Sequence, residues 1–273
     1  MSEGNSHASN DDQALPLMAP CRQLETTAPL RWLADGWADM KHAPRQSLLY
    51  GLIMALISGG LGLLALRFGG FLIPLAFMGG IIFIAPVLCL GLYAISAQLE
   101  RKQPAMLGRT FREAAKRRLG TELVFALILL VVFLVWARAF SMVQVFFPVN
   151  ASPEWRDVIS YIIVSLAVGG LFAAITFAFS AFSMPMIMHR DVDAVTAAIT
   201  SINAVLRNKK AMVLWAAIIV ASIVIGIGTF FIGAVVLWPL IGLATWHGYL
   251  DTIDATAFPR HAEGITSIPR FLD

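Results

Sequence analysis

A few side chains in this sequence have the type and the placement to do chemistry. Asp191 and Asp193 stand two apart in His189-Arg190-Asp191-Val192-Asp193-Ala194, and paired carboxylates can bind a cation or relay a proton. Asp193 also directly precedes Ala194-Val195-Thr196, where a carboxylate can accept the first-turn amides of a helix and complement its dipole. Arg138 is the only basic residue well inside an apolar run, and an intramembrane charge is costly enough to raise a functional hypothesis by default. Its position near the outer end of that run equally allows it to snorkel to the interface. Trp246 and His247, just ahead of Tyr249, read either as an interfacial aromatic anchor with a wet histidine or as part of a proton-responsive pair. Met184, Met186 and Met188 beside His189 have the softness that Cu(I) prefers. On a helix, however, positions 184 and 188 share a face that 186 does not, so the thioethers read as bundle filler.

Other chemistries lack their residues. No apolar run carries a central histidine for a bis-His haem. There is no His/Cys/carboxylate metal set, no phosphate-cradling Gly-Lys-Ser/Thr loop and no nucleophile elbow. No catalytic, cofactor-binding or metal residue is therefore assigned, and no enzyme is expected.

The elements that must position these side chains are membrane spans. Of 273 residues, 58% are hydrophobic and 14% charged, with a mean hydropathy of +0.76. Soluble domains carry roughly 45–50% apolar and about 25% charged residues. The two cysteines, Cys21 and Cys89, exclude a disulfide scaffold, and a net charge of +3 is too small to argue for nucleic acid. Apolar runs cover residues 48–66, 68–97, 123–147, 158–188 and 211–249. The last would be about 58 Å long as one helix, against a hydrocarbon core of about 30 Å, so two helices with a turn near residues 226–233 fit better. Six spans result. With alternate sides assigned, 17 of the 20 Lys and Arg residues fall on one side and only Arg67, Arg138 and Arg156 on the other. That asymmetry predicts an inner-membrane protein with both termini cytoplasmic, five spans being the competing count. No apolar run precedes residue 48, so no signal peptide is expected.

A short amphipathic pattern precedes each pair of spans: Leu30, Leu33, Trp37 and Met40; then Leu107, Phe111, Ala115 and Leu119; then Val195, Ile199, Ile202 and Leu206. Basic residues follow each stripe, as expected for helices lying on an anionic cytoplasmic leaflet. The fold class predicted is thus all-α and polytopic: six transmembrane helices as three helical hairpins, each preceded by a short amphipathic interfacial helix. Within it, residues 1–28 read as a disordered cytoplasmic tail, 29–254 as the membrane domain and 255–273 as a cytoplasmic tail. Small residues four apart (Gly51, Ala55, Gly59; Ser165, Gly169, Ala173; Gly170, Ala174, Ala178) let helix backbones approach closely and are expected to pack inside the bundle. Prolines in or beside the spans should free carbonyls that neighbours must satisfy.

Several segments resemble a known family. They are Arg31-Trp32-Leu33, Gly36-Trp37-Ala38-Asp39-Met40, Gly91-Leu92-Tyr93, Arg190-Asp191-Val192-Asp193-Ala194-Val195-Thr196-Ala197, Ala204-Val205-Leu206-Arg207-Asn208 and Ala244-Thr245-Trp246-His247-Gly248-Tyr249. Together they are similar to a bacterial family of predicted integral membrane proteins of unknown function (DUF2189), over roughly residues 29–254. The resemblance implies a multi-span inner-membrane protein and transfers no activity.

Two functional classes stay open. One is a non-enzymatic scaffold or accessory component that packs beside another membrane protein or a second copy. The other is a small-solute or ion transporter or channel. In either, Asp191 and Asp193 lie on the same face as His247, so Asp193 and His247 are expected either to pair across the bundle or to act separately, as a cap and a solvated imidazole.

Overall fold

The computed structural model describes residues 16–68, 85–86, 88–106, 120–146 and 154–260. Among them the helices are α1 (Ala28–His42), α2 (Pro44–Phe68), α3 (Leu90–Glu100), α4 (Gly120–Phe146), α5 (Trp155–Ser180), α6 (Ser183–His189), α7 (Ala194–Arg207), α8 (Lys209–Gly228) and α9 (Ala234–Thr252). Four stretches among the described residues are long and apolar enough to cross a membrane: Pro44–Leu64, Gly120–Val143, Trp155–His189 and Lys209–Gly228. Much of the expected second span and the amphipathic pattern at 107–119 lie outside the described residues. The long apolar run divides as expected, α8 ending at Gly228 and α9 starting at Ala234. Phe230 and Phe231 make the turn with φ of 51° and 66°, a left-handed geometry that costs about 1–2 kcal/mol per non-glycine residue. Thr229 holds it closed, its hydroxyl accepting from the Gly233 amide at 2.9 Å and donating to the Ile225 carbonyl at 2.8 Å.

α9 is the helix around which the others pack, touching α1, α2, α3 and α8. Its composition explains why it is not among the four most apolar stretches. Trp238, Pro239, Thr245, Trp246, His247, Tyr249 and Asp251 dilute it, and most of them are buried by protein. Small residues bring the neighbours close. A Cβ on Gly36 of α1 would lie 2.7 Å from the Ala244 amide nitrogen, and one on Gly248 would lie 2.9 Å from the Trp32 ring. Trp32, fully buried, then meets Trp215 of α8 edge-on at 5.5 Å and Phe182 at 6.1 Å. Met184, Met186 and Ile187 of α6 complete this core, and α4 joins it through Phe125 and Leu129.

Two sequence expectations need correction. Residues 1–28 were expected to be disordered, yet residues 16–27 dock on the bundle. The Ala19 amide donates to Thr200 Oγ1 at 3.1 Å, and the Arg22 amide donates to the Thr252 carbonyl at 2.8 Å. The Asp254 amide returns a bond to the Pro20 carbonyl at 2.9 Å, making a one-residue antiparallel bridge between Cys21 and Ile253. A polar segment is ordered because its amides find partners far away in the chain. The expected C-terminal tail is likewise packed at its start: Phe258 is buried, and the Asp191 amide donates to the Pro259 carbonyl at 2.9 Å. Residues 1–15 and 261–273 lie outside the described residues.

The second correction concerns small residues. On α2 the stripe packs within the chain as expected: a Cβ on Gly51 would land on the Val235 carbonyl and the Pro239 ring, and one on Gly59 would lie 3.3 Å from Phe231. The Val235 carbonyl is the one that Pro239, four residues on, leaves without a helical donor. On α5, by contrast, Cβ atoms added at Gly169 and Gly170 would meet nothing within 4 Å. Gly170 is exposed and turned away from the buried Tyr161, Thr176 and Ser180, whereas Gly169 lies on their side of the helix and is simply not reached by a neighbour.

The α2–α9 approach gives a direct test. Gly51→Val should destabilise the protein by about 1–3 kcal/mol, the usual cost of overpacking. Gly60→Val, where an added Cβ meets open space, should be near neutral. Thermal unfolding in a matched detergent distinguishes them, and equal effects would show that the contact is not tight.

Candidate functional site

The polar residues of the bundle concentrate where α1, α3, α6 and α9 meet. The helical repeat of α1 turns Trp32, Gly36 and Met40 toward α9 and carries Asp39 to the edge of that face. There, Asp39 Oδ2 accepts a hydrogen bond from the Ser96 hydroxyl of α3 at 2.6 Å and lies 2.9 Å from His247 Nε2 of α9. The pair is half hidden, the Asp39 side chain being 14% exposed and His247 26%. One turn further along α3, Glu100 accepts from the Trp246 indole at 3.2 Å. Asp251 accepts from the Trp32 indole at 2.9 Å and pairs with exposed Arg31 at 3.4 Å. α1 is thus tied to α9 by two carboxylates on opposite partners, one from each helix.

A second shell lies beside this one. His189 Nδ1 is 2.9 Å from the Tyr249 hydroxyl, and its ring packs against Trp246 at 5.5 Å and Tyr249 at 5.7 Å. Buried Arg190 donates from Nη1 to the Phe258 carbonyl at 2.9 Å, holding the C-terminal segment in place.

These distances decide between the alternatives read from the sequence. His247 does meet a carboxylate, but it is Asp39, 208 residues away in the chain, and not Asp193. Asp193 acts as the N-cap of α7, its Oδ1 accepting from the Val195 and Thr196 amides at 2.9 Å each. Partial burial works to raise its pKa, but the Thr196 hydroxyl and these amides outweigh that and hold it below the ordinary aspartate value. Asp191 is exposed, with its backbone tied to Pro259. Arg138 is exposed on α4, apart from the cluster. Trp246 is buried rather than interfacial, because α3 covers it. The sequence reading missed Asp39, Ser96 and Glu100. The available signal was Asp39 on the inward side of a helix otherwise packed by Trp32, Gly36 and Met40.

Chemically, the arrangement is a buried polar clasp. Ser96 donates to the carboxylate and not to the imidazole, so the Asp39–His247–Ser96 set lacks the nucleophile-to-base bond of a hydrolytic triad. What it holds is a proton-accepting pair that joins three helices.

Double-mutant cycles on thermal stability separate the two carboxylates. Asp39→Asn with His247→Gln should be non-additive by about 0.5–3 kcal/mol, whereas Asp193→Asn with His247→Gln should add within about 0.5 kcal/mol. Asp193→Ala alone should cost about 1 kcal/mol as a lost cap. Because the folded-state pKa of Asp193 is lowered, its contribution is complete above the unfolded value and disappears as pH falls through the folded one. The Asp193→Ala deficit should therefore shrink towards acid pH.

No curated protein and no solved structure matches the chain. The model of one family does, over residues 72–189. That stretch holds α3 to α6 and ends just before the Arg190–Ala194 segment, leaving Thr245–Tyr249 well outside it. Over residues 72–189 the chain is similar to the family described as predicted integral membrane protein (DUF2189).

Proposed function

We propose that this is a bacterial inner-membrane protein of six spans, with both termini cytoplasmic, acting as a non-enzymatic scaffold or accessory component of a membrane assembly. The span count draws support from where the chain returns. Residues 20–22 are hydrogen-bonded to residues 252–254, which favours an even number of crossings between them over five. α8 leaves the end of the bundle where Asn208 binds Leu24, and the chain is back there at Thr252, which favours α9 as the return crossing. α2 leaves the same end after α1, and α3 is back beside Asp39 and His247. These returns are in keeping with spans arranged as out-and-back pairs. Ahead of α2 and α8, α1 and α7 each bury one face, Trp32, Gly36 and Met40 on α1 and small residues on α7, and leave apolar residues exposed, Leu30 and Trp37 on one and Val195, Ile199 and Leu206 on the other. Such stripes suit the headgroup layer of an anionic leaflet.

The scaffold reading rests on one observation: the outer face of α5. An 18-residue apolar window within Trp155–His189 is only 6% buried, and exposed Gly170 stands open on this face. In lipid, helices associate where small residues let backbones approach, since apolar surface alone gives no incentive. This face is suited to another membrane helix, from a second copy or from a different protein. A transporter or channel is the second reading, and the half-buried Asp39–His247 pair is what favours it.

Alkaline phosphatase fused after Asp273 should be inactive, and fused within residues 148–157 it should be active. An active C-terminal fusion removes the six-span topology. For the scaffold role, Gly170→Leu should convert an assembled form in lipid nanodiscs to single copies without lowering thermal stability. Wild-type protein that is single-copy in native membranes, or a variant that assembles unchanged, would shift the weight to the transporter reading.

A further inference from the structure

At the corner between α7 and α8, a cavity of about 300 Å³ opens beside the N-terminal segment. Gln23 and Thr26 form one wall, and Arg207, Asn208, Lys209 and Lys210 form the other. Among the described residues, none of these three cations is in an ion pair, and no acidic side chain lines the cavity. The first turn of α8 carries no acidic residue and has no side-chain cap. Asn208, the residue placed to cap it, is otherwise engaged: its Oδ1 accepts from the Leu24 amide at 2.8 Å, and its Nδ2 donates to the Arg22 carbonyl at 2.9 Å and the Ala204 carbonyl at 3.1 Å. Asn208 is only 6% exposed, so the wall it anchors is built into the fold. The cavity therefore brings together three cations and the positive end of a 20-residue helix, with no acidic side chain among the described residues lining it.

Its depth narrows the ligand. α8 is one of the four stretches able to cross a membrane and begins at Lys209, so the cavity lies at the headgroup layer. Leu206 and Val213 are exposed alongside it, as acyl chains would require. Basic pockets at the cytoplasmic ends of spans are suited to anionic headgroups. We infer that this cavity binds a phosphate group, presented by an anionic phospholipid or free in solution. The inference rests on the topology proposed above only for the placement of the first turn of α8. The reporter fusions test that topology separately, so either can fail alone.

The test uses full-length protein equilibrated with equal phosphatidylglycerol and phosphatidylcholine, with retained lipid counted by native mass spectrometry. Wild type should retain phosphatidylglycerol preferentially. Lys209→Gln with Lys210→Gln should reduce that preference by about fivefold per lysine, and Lys209→Arg with Lys210→Arg should keep it. Lys41→Gln with Arg45→Gln, an equal charge loss on the same side, should also keep it. Gln23→Trp, which fills the cavity without changing charge, should remove it, so the outcome does not depend on the lysine variant folding. Displacement by millimolar inorganic phosphate would identify a free phosphate as the ligand, and resistance to it the lipid. The proposal is overturned if wild type shows no preference, if both charge-loss pairs reduce it equally, or if Gln23→Trp leaves it intact.

Discussion

The close approach of α1 to α9 is the constraint on which the rest of the structure depends. Gly36 faces the Ala244 backbone, and Trp32 lies across Gly248. Without side chains at the two glycines, an indole can lie flat in the gap between helices, and Trp215 and Phe182 then close on its edges. The two hydrogen-bonded ends of this contact, Trp32 to Asp251 and Asp39 to His247, set its register. A larger residue at either glycine would move Asp39 away from His247 as well as opening the core. Packing and polar geometry here are one arrangement.

This concentration of tight packing at one end of the bundle has a physical reason in the proposed topology. Inside the hydrocarbon there is no water to expel, so apolar faces gain little by meeting one another. At the cytoplasmic end water is present, burial of Trp32, Trp215, Trp246 and Tyr249 is favourable, and a true hydrophobic core forms. The same end supplies polar partners for a chain that would otherwise have none. Residues 16–27 and 253–260 are fastened there by backbone bonds to each other and by side chains such as Thr200, Asn208 and Arg190. The membrane-facing part carries a different adaptation, seen where Gly51 accommodates the carbonyl that Pro239 leaves without a donor.

α1 and α7 work as joints between these two environments. Each turns one face to the protein and other apolar residues outward: Trp32, Gly36 and Met40 against Leu30 and Trp37, Ala197 and Ala204 against Val195 and Leu206. On α7 the hydrophobic stripe visible in the sequence is thus the outward one, while the face that holds the fold is made of Ala, Ser and Thr, which carry little hydrophobic signal; on α1 the inward face adds Trp32 and Met40 to Gly36. Asp193 fixes where α7 begins, and the α7–α8 corner leaves its basic residues around a cavity that Asn208 and Leu24 keep open.

Local chemistry determined what could be read in advance. Apolar run length determined that the chain is helical and membrane-embedded, the long final run had to break near Gly228, and an aspartate before Ala194 was enough to place the α7 cap. These depend on neighbours a few residues apart. Only the tertiary structure decided that His247 would meet Asp39 and not Asp193, that Trp246 would be covered by α3, and that a polar segment from residue 16 would be ordered. It also decided that the small residues of α2 are used within the chain while those of α5 are left open. Each of these depends on which helix faces which, and in lipid that choice is made by backbone fit and a few hydrogen bonds between residues up to 220 positions apart, a quantity that neither hydropathy nor periodicity along the chain contains.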